Sequence, residues 1–312
     1  MVAAARVGKE VGGIIFSSLS WARGAVGSAS DWQSEGQGFE SPRVHQCPHF
    51  ANTIAAAVGR NLHLARVVAF YALSAMLTLF LTFELFAHFL APTPVVTDWA
   101  HGHHVHSIAH AVLTAVLIAA IAVGLHPRTR CIAGLQCLLL VTVVGFLISV
   151  IAWQGLHNLA FPVFNFTLYG VIALIVAALH PERGRLFARG NADPRLLAMA
   201  VLAFLPLITY AAVEVSKQLS NAEPAHSAVG HFALMGALGV ALPCLAGLAA
   251  LRTEGWHLPL WSAGLAVAAL GATSIAFPSE ASSFPLVGAI LAIAWGASFI
   301  WLGNRKLVAA IP

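Results

Sequence analysis

From residue 64 onward the chain alternates apolar runs of about 20 residues with short polar breaks. That rhythm leaves few folds open. About 20 apolar residues in helix cross the roughly 30 Å hydrocarbon layer of a bilayer. Such runs occupy 66–90, 107–125, 132–152, 162–180, 196–218, 229–251, 259–278 and 285–303. Helix is the form expected, because lipid offers no partner to an unpaired peptide group. Prolines mark many of the edges: Pro92, Pro94, Pro127, Pro162, Pro181, Pro194, Pro259 and Pro285.

Composition closes the soluble alternatives. Hydrophobic residues make up 59% of the chain, charged residues 9%, and the mean hydropathy is +0.83. Soluble domains carry about 25% charged residues. The net charge of +4 does not point to nucleic acid, because the basic residues sit between apolar runs. They report orientation instead. One set of connections holds Arg60, Arg66, Arg128, Arg130, Arg183, Arg185, Arg189, Arg195, Arg252, Arg305 and Lys306, whereas the opposite set holds only Lys217. Both termini are therefore expected in the cytoplasm, with an even number of spans. Thirteen arginines to three lysines, with abundant alanine, suggest a GC-rich bacterial genome and so a bacterial cytoplasmic membrane.

Residues 1–60 differ from the rest: Gly/Ser-rich, of mixed charge, and without the apolar core of a secretory signal. A disordered tail is one reading. The stretch Gly36-Gln37-Gly38-Phe39-Glu40-Ser41-Pro42 suggests another. Gly-Phe-Glu-Ser-Pro is what DNA resembling the T-arm of a transfer RNA gene would encode, so the genuine start is expected between Val44 and Val68. In either case His45, Cys47 and His49 are not taken as a metal site. Cys131, Cys137 and Cys244 have no metal-binding spacing and read as packing residues.

The expected architecture is all-α, a polytopic membrane protein of eight transmembrane helices in two four-helix halves, 61–190 and 191–312. A faint repeat supports the halves. Glu84 and Glu214 each lie near the outer end of a span, and each is followed by a loop and a span opening with His-Ser and then another histidine. These are His106-Ser107 with His110, and His226-Ser227 with His231. The segments ending His126-Pro127 and His180-Pro181 echo each other as well.

Chemistry concentrates between Asp98 and His110, where His101, His103, His104, His106 and His110 crowd together. His106 and His110 are four apart, on one helix face, and so are Glu84 and His88 on the preceding span. Imidazoles with a carboxylate suit zinc, copper, nickel, cobalt or iron. The candidate ligands are Glu84, His88, His101, His103, His104, His106 and His110, with Glu214, His226 and His231 from the second half. There Gln218 stands where the first half has His88, and it is a poorer ligand. His-rich loops can equally be solvated and idle, and a His-Ser pair can simply cap a helix. Glu84 lies about 9 Å inside its span at 1.5 Å per residue, where an ionisable group is costly and a functional candidate. His157, with Gln154 and Asn158, is a further candidate for the outer cluster.

His126, His180 and His257 read as structural groups at cytoplasmic helix ends. Pro206 and Pro243 lie inside spans and are candidates for kinks. Gly264, Ala268, Gly271, Gly288 and Ala292 are expected to allow close helix packing.

Three function classes remain: uptake, export or sensing of a transition-metal ion at the outer face; a membrane redox enzyme using haem or a metal; and an accessory membrane protein without chemistry. A haem would need two facing histidines, such as His110 with His231 or His88 with His110. Only neutral groups (Thr78, Gln136, Thr142, Asn165, Tyr169, Thr209, Thr273) could continue a path through the bilayer. The layout is similar to that of haem A synthases, which also have eight spans in two four-helix halves. Those enzymes carry histidine ligands on the second and fourth span of each half, whereas here the fourth and eighth spans lack a histidine in their outer half. The chain is not assigned to that family. No nucleotide loop or nucleophile elbow is present.

Overall fold

The computed structural model describes residues 48–90, 103–125, 132–152 and 160–308. Within them the side chains at 48–55, 84, 87–90, 123–125, 160–169 and 306–308 lie outside the description. The calls on the tail before residue 48, and on His101, His126, His157, Cys47 and Cys131, also fall outside it, as do those on the side chains of Glu84 and His88.

The described residues are helical, with no strand. They form α1 (Pro48–Leu90), α2 (His104–Leu125), α3 (Ile132–Ala152), α4 (Ala160–Leu179), α5 (Pro194–Ser220), the short α6 (Pro224–Ala228), α7 (His231–Ala250), α8 (His257–Ala276) and α9 (Leu286–Val308). A 3-10 turn, Arg183–Arg185, follows α4. Seven helices among the described residues are long and apolar enough to cross a membrane. The expected fourth span, 162–180, coincides with α4, whose described apolar part is Gly170–Leu179. Most expected boundaries fall within three residues of the observed ones. The exceptions are the start of α1, which begins at Pro48 instead of 66, and the end of α9, which runs on to Val308 instead of 303.

The chain divides into a unit Met1–Ala57 and a body Val58–Pro312. At the centre of the body is α7, the most buried of the membrane-length helices, packed against α2, α3, α5 and α8. Its small residues make this possible. A Cβ on Gly239 would come 2.9 Å from the Leu207 carbonyl oxygen, and one on Gly236 would come 2.8 Å from Val215, both on α5. Between α8 and α9 the approach is closer: a Cβ on Gly296 would lie 2.3 Å from the Gly264 carbonyl oxygen, and one on Gly271 2.5 Å from that of Ala289. Van der Waals contact between backbones is the main attraction available to helices in lipid, where apolar burial gains nothing. Gly264, Ala268, Gly271 and Ala292 lie at this contact, but Gly288 does not, its nearest neighbours being Phe284 and Pro285 at 3.8 Å. Large apolar side chains such as Leu79, Phe83, Leu202, Leu205 and Leu291 point outward. A soluble protein rarely exposes so much apolar surface; on a bundle of membrane-length helices it is lipid-facing.

Helices α5 and α7 run on through Pro206 and Pro243. The mid-span hydroxyls that a translocation path would need are turned onto their own helices. Thr78, Thr142, Thr209 and Thr273 donate to the carbonyls of Ser74, Leu138, Leu205 and Ala269, four residues back.

At the arginine-rich end, several polar groups find partners within the bundle. Asp193 caps α5 by accepting from Arg195 N–H at 3.0 Å, and binds Arg252 Nη2 at 2.7 Å. Gln136 donates to the carbonyls of Leu186 and Ala188 and accepts from Thr253 Oγ1 at 3.0 Å. His180 Nδ1 accepts from Glu182 N–H, and the ring meets Phe70 edge-on at 5.2 Å. His257 opens α8 instead of closing a helix, so the C-terminal dipole argument does not hold for it; its ring lies 3.9 Å from Trp256. Cys137 is buried and Cys244 half-buried, and both are free thiols.

Candidate metal centre

Four imidazoles from three separate segments converge at the opposite end of the bundle. His103 directly precedes α2 and His106 lies in its first turn; His226 is on α6, and His231 opens α7. One ring nitrogen from each lies within 4.8 Å of one from every other. The closest ring pairs are His103 with His226 at 4.5 Å between centroids, and His106 with His231 at 4.7 Å. His106 is 1% exposed.

Local backbone chemistry sets these positions. The first turn of α2 closes with Ser107 N–H donating to the His103 carbonyl at 2.9 Å, which brings His103 back beside His106. Helix starts leave orphan N–H groups. For α2 the partner is Glu280, whose Oε2 accepts from Val105 N–H at 2.9 Å and whose Oε1 binds His104 Nδ1. An anion suits this end of the helix dipole. His104 also stacks on Phe277 at 4.0 Å, so it serves as a strut and not as part of the four.

Gln218, fully buried, clamps the other two. Its Nε2 donates to the Ser227 carbonyl at 2.8 Å, and its Oε1 accepts from Ala233 N–H at 3.2 Å. One amide thereby ties down the end of α6 and the start of α7. Between those helices Gly230 takes φ 74°, a left-handed conformation that glycine adopts without steric cost. Asn221, at φ 51°, makes the corresponding turn before α6.

Carboxylates and a hydroxyl back the imidazoles. His226 Nδ1 lies 2.9 Å from Glu223 Oε2. His106 Nε2 lies 3.1 Å from Ser282 Oγ, which lies 2.5 Å from Glu214 Oε2. Glu214, 1% exposed, also accepts from Lys217 Nζ at 2.7 Å. The Ser282 carbonyl accepts from Tyr210 OH at 2.9 Å. His103, outside the span, is pushed below the ordinary imidazole value of 6.5, first by burial and next by the charge of His226, against a weaker upward pull from Glu280. Neutral imidazole is the form that binds a metal.

The expected residues thus divide. His103, His106, His226 and His231 come together. Glu214 stands behind them through Ser282, and His104 pairs with Glu280. His110 is outside the four, because four residues of helix carry it about 6 Å deeper at 1.5 Å per residue. Among the described residues His106 groups across helices with His103, His226 and His231, and not with His110. Glu280, Ser282, Glu223, Tyr210 and the clamp at Gln218 are site residues that spacing alone did not single out; Glu223 at i−3 from His226 was the one readable pair.

No protein-family model matches this chain, and no curated protein or solved structure matches it either.

Proposed function

We propose that the protein is a bacterial cytoplasmic-membrane protein that binds a transition-metal ion at its outer face, in a four-imidazole centre, and handles it there for uptake, export or sensing. The observation that carries this reading is the convergence of His103, His106, His226 and His231 to within 4.8 Å. An all-nitrogen set of borderline softness favours zinc, copper(II), nickel or cobalt over magnesium or calcium, which take oxygen. The outward assignment rests on the arginine asymmetry between the two ends.

Two further points favour holding an ion over moving one through the bilayer or doing chemistry on it. The mid-span threonines are satisfied by their own helices, so among the described residues they form no ladder of ligands across the membrane. Four imidazoles fill a tetrahedral shell, whereas a catalytic metal keeps a position open. A haem is disfavoured by the packing of the rings against one another, which leaves no slot for a macrocycle between two axial histidines.

Titration of the purified, detergent-solubilised protein with Zn2+ or Co2+ tests the reading. One equivalent is expected to bind. Replacing His106 and His231 together by alanine is expected to weaken binding at least hundredfold, about 2.8 kcal/mol at 1.4 kcal/mol per decade. His110→Ala is expected to leave binding unchanged. A parent protein that takes up no metal, or a Soret band after haem addition, overturns the proposal.

A further inference from the structure

The groups behind the imidazoles decide which ring nitrogen each offers. Ser282 Oγ lies between Glu214 Oε2 at 2.5 Å and His106 Nε2 at 3.1 Å, and a hydroxyl has one hydrogen to give. The Glu214 carboxylate, bound to the Lys217 ammonium at 2.7 Å, only accepts. The serine hydrogen therefore goes to Glu214, and the serine oxygen accepts from His106 Nε2–H. A neutral His106 then carries its lone pair on Nδ1, which is buried and has no hydrogen-bond partner among the described residues. At His226 the direct contact of Nδ1 with Glu223 Oε2, at 2.9 Å, has the ring nitrogen donating. That leaves the lone pair on Nε2, also buried and without a hydrogen-bond partner among the described residues.

We propose that Glu214, acting through Ser282, and Glu223, acting directly, are positioning residues of the metal centre, so that His106 ligates through Nδ1 and His226 through Nε2. This assignment rests on the metal-binding reading above. A ligating histidine whose other nitrogen donates to a carboxylate or its relay has a fixed tautomer and ring orientation, and losing such a partner costs about 10–100-fold in metal affinity. Ser282 is held for this task at φ 70°, a left-handed conformation uncommon for a residue with a side chain.

The test uses the full chain, 15N-labelled at histidine, with Co2+ as the probe. In metal-free protein the 15N shifts are expected to show His106 protonated at Nε2 and bare at Nδ1, and His226 the reverse. Ser282→Ala and Glu223→Ala are each expected to weaken Co2+ binding about 10–100-fold and to alter its visible ligand-field bands. Ser283→Ala, which removes the neighbouring hydroxyl that bonds the Phe277 carbonyl at 2.6 Å, is expected to change neither. The assignment is overturned if His106 is protonated at Nδ1, or if Ser282→Ala binds Co2+ as tightly as the parent. It is also overturned if Ser283→Ala matches the loss in Ser282→Ala, which would make the effect one of loop packing. A parent protein that binds no Co2+ removes the function reading as well, so the two failures are distinguishable.

Discussion

The two ends of the bundle gather different polar groups. At the arginine-rich end Asp193 meets Arg252, Gln136 meets Thr253 and two carbonyls, and Arg185 lies 3.2 Å from Glu254. At the histidine end the charged groups are matched too, but ring nitrogens of His106 and His226 are left buried with no hydrogen-bond partner among the described residues. Unpaired buried polar atoms cost about 1–3 kcal/mol each. Arg252 Nε and His257 Nε2 are left in the same way at the arginine-rich end, so what sets the histidine end apart is the convergence of four imidazoles to within 4.8 Å. The first end is a staple and, on the metal-binding proposal, the second is a receptor.

Metal should stabilise the receptor end and leave the staple indifferent. At a hundredfold excess over its dissociation constant, Zn2+ is expected to add about 2.7 kcal/mol to stability. Thermal unfolding in detergent would read this as a rise in Tm that is absent when His106 and His231 are alanine.

A second change acts on the staple alone. A Cβ on Gly190 would come 2.1 Å from the Arg252 carbonyl oxygen, while Gly190 N–H donates to the Leu251 carbonyl at 3.0 Å. Gly190→Ala is expected to cost about 1–3 kcal/mol through this overpacking. Co2+ affinity should stay within a factor of two, and a large loss of affinity would show that the ends are not independent.

The smallest effect is at Asp193. Burial raises its pKa more than any other single influence, but the Arg195 N–H, the Arg252 charge, the Leu196 N–H and the hydrogen bond from the Arg252 side chain together outweigh it, so the carboxyl sits below its ordinary value of 3.8. A depressed folded-state pKa contributes stability in full above the unfolded value near 3.9, and that contribution is lost as pH falls through the folded value. Asp193→Ala is expected to cost about 1 kcal/mol at pH 7, as the loss of a helix N-cap does. The gap to the parent should narrow below about pH 4, and a gap that does not change with pH would contradict this account.

Much of the bundle was legible because lipid imposes a single length scale. Run length and proline edges place α3 at 132–152, as expected, and α2, α4, α5, α7 and α8 within three residues of their expected ends. Where polarity does not change sharply the boundary was illegible: α1 runs back to Pro48 through Gly59, Arg60, Asn61 and His63, a polar stretch that the run of apolar residues from 66 leaves out. The centre was half legible. The repeated His-Ser openings marked His106 and His226, and their meeting follows once α2 and α7 are neighbours. Glu280 and Ser282 were invisible, since they lie in the connection between α8 and α9, and Ser282 is 176 residues from the ring it supports. No local pattern records a contact at that distance. Gln218 was read as a weak ligand because its type was compared with His88; its role as a clamp depends on two backbone groups that sequence does not display.

That separation has a consequence for biogenesis. The nitrogens come from the start of α2 and from the segment around α6 and α7, and the serine behind one of them arrives only with the loop before α9. A chain extended only as far as α5 holds two of the four imidazoles, His103 and His106, and the set is complete once α7 begins. The support behind His106 comes last, so the complete arrangement waits for the loop that joins the final two helices.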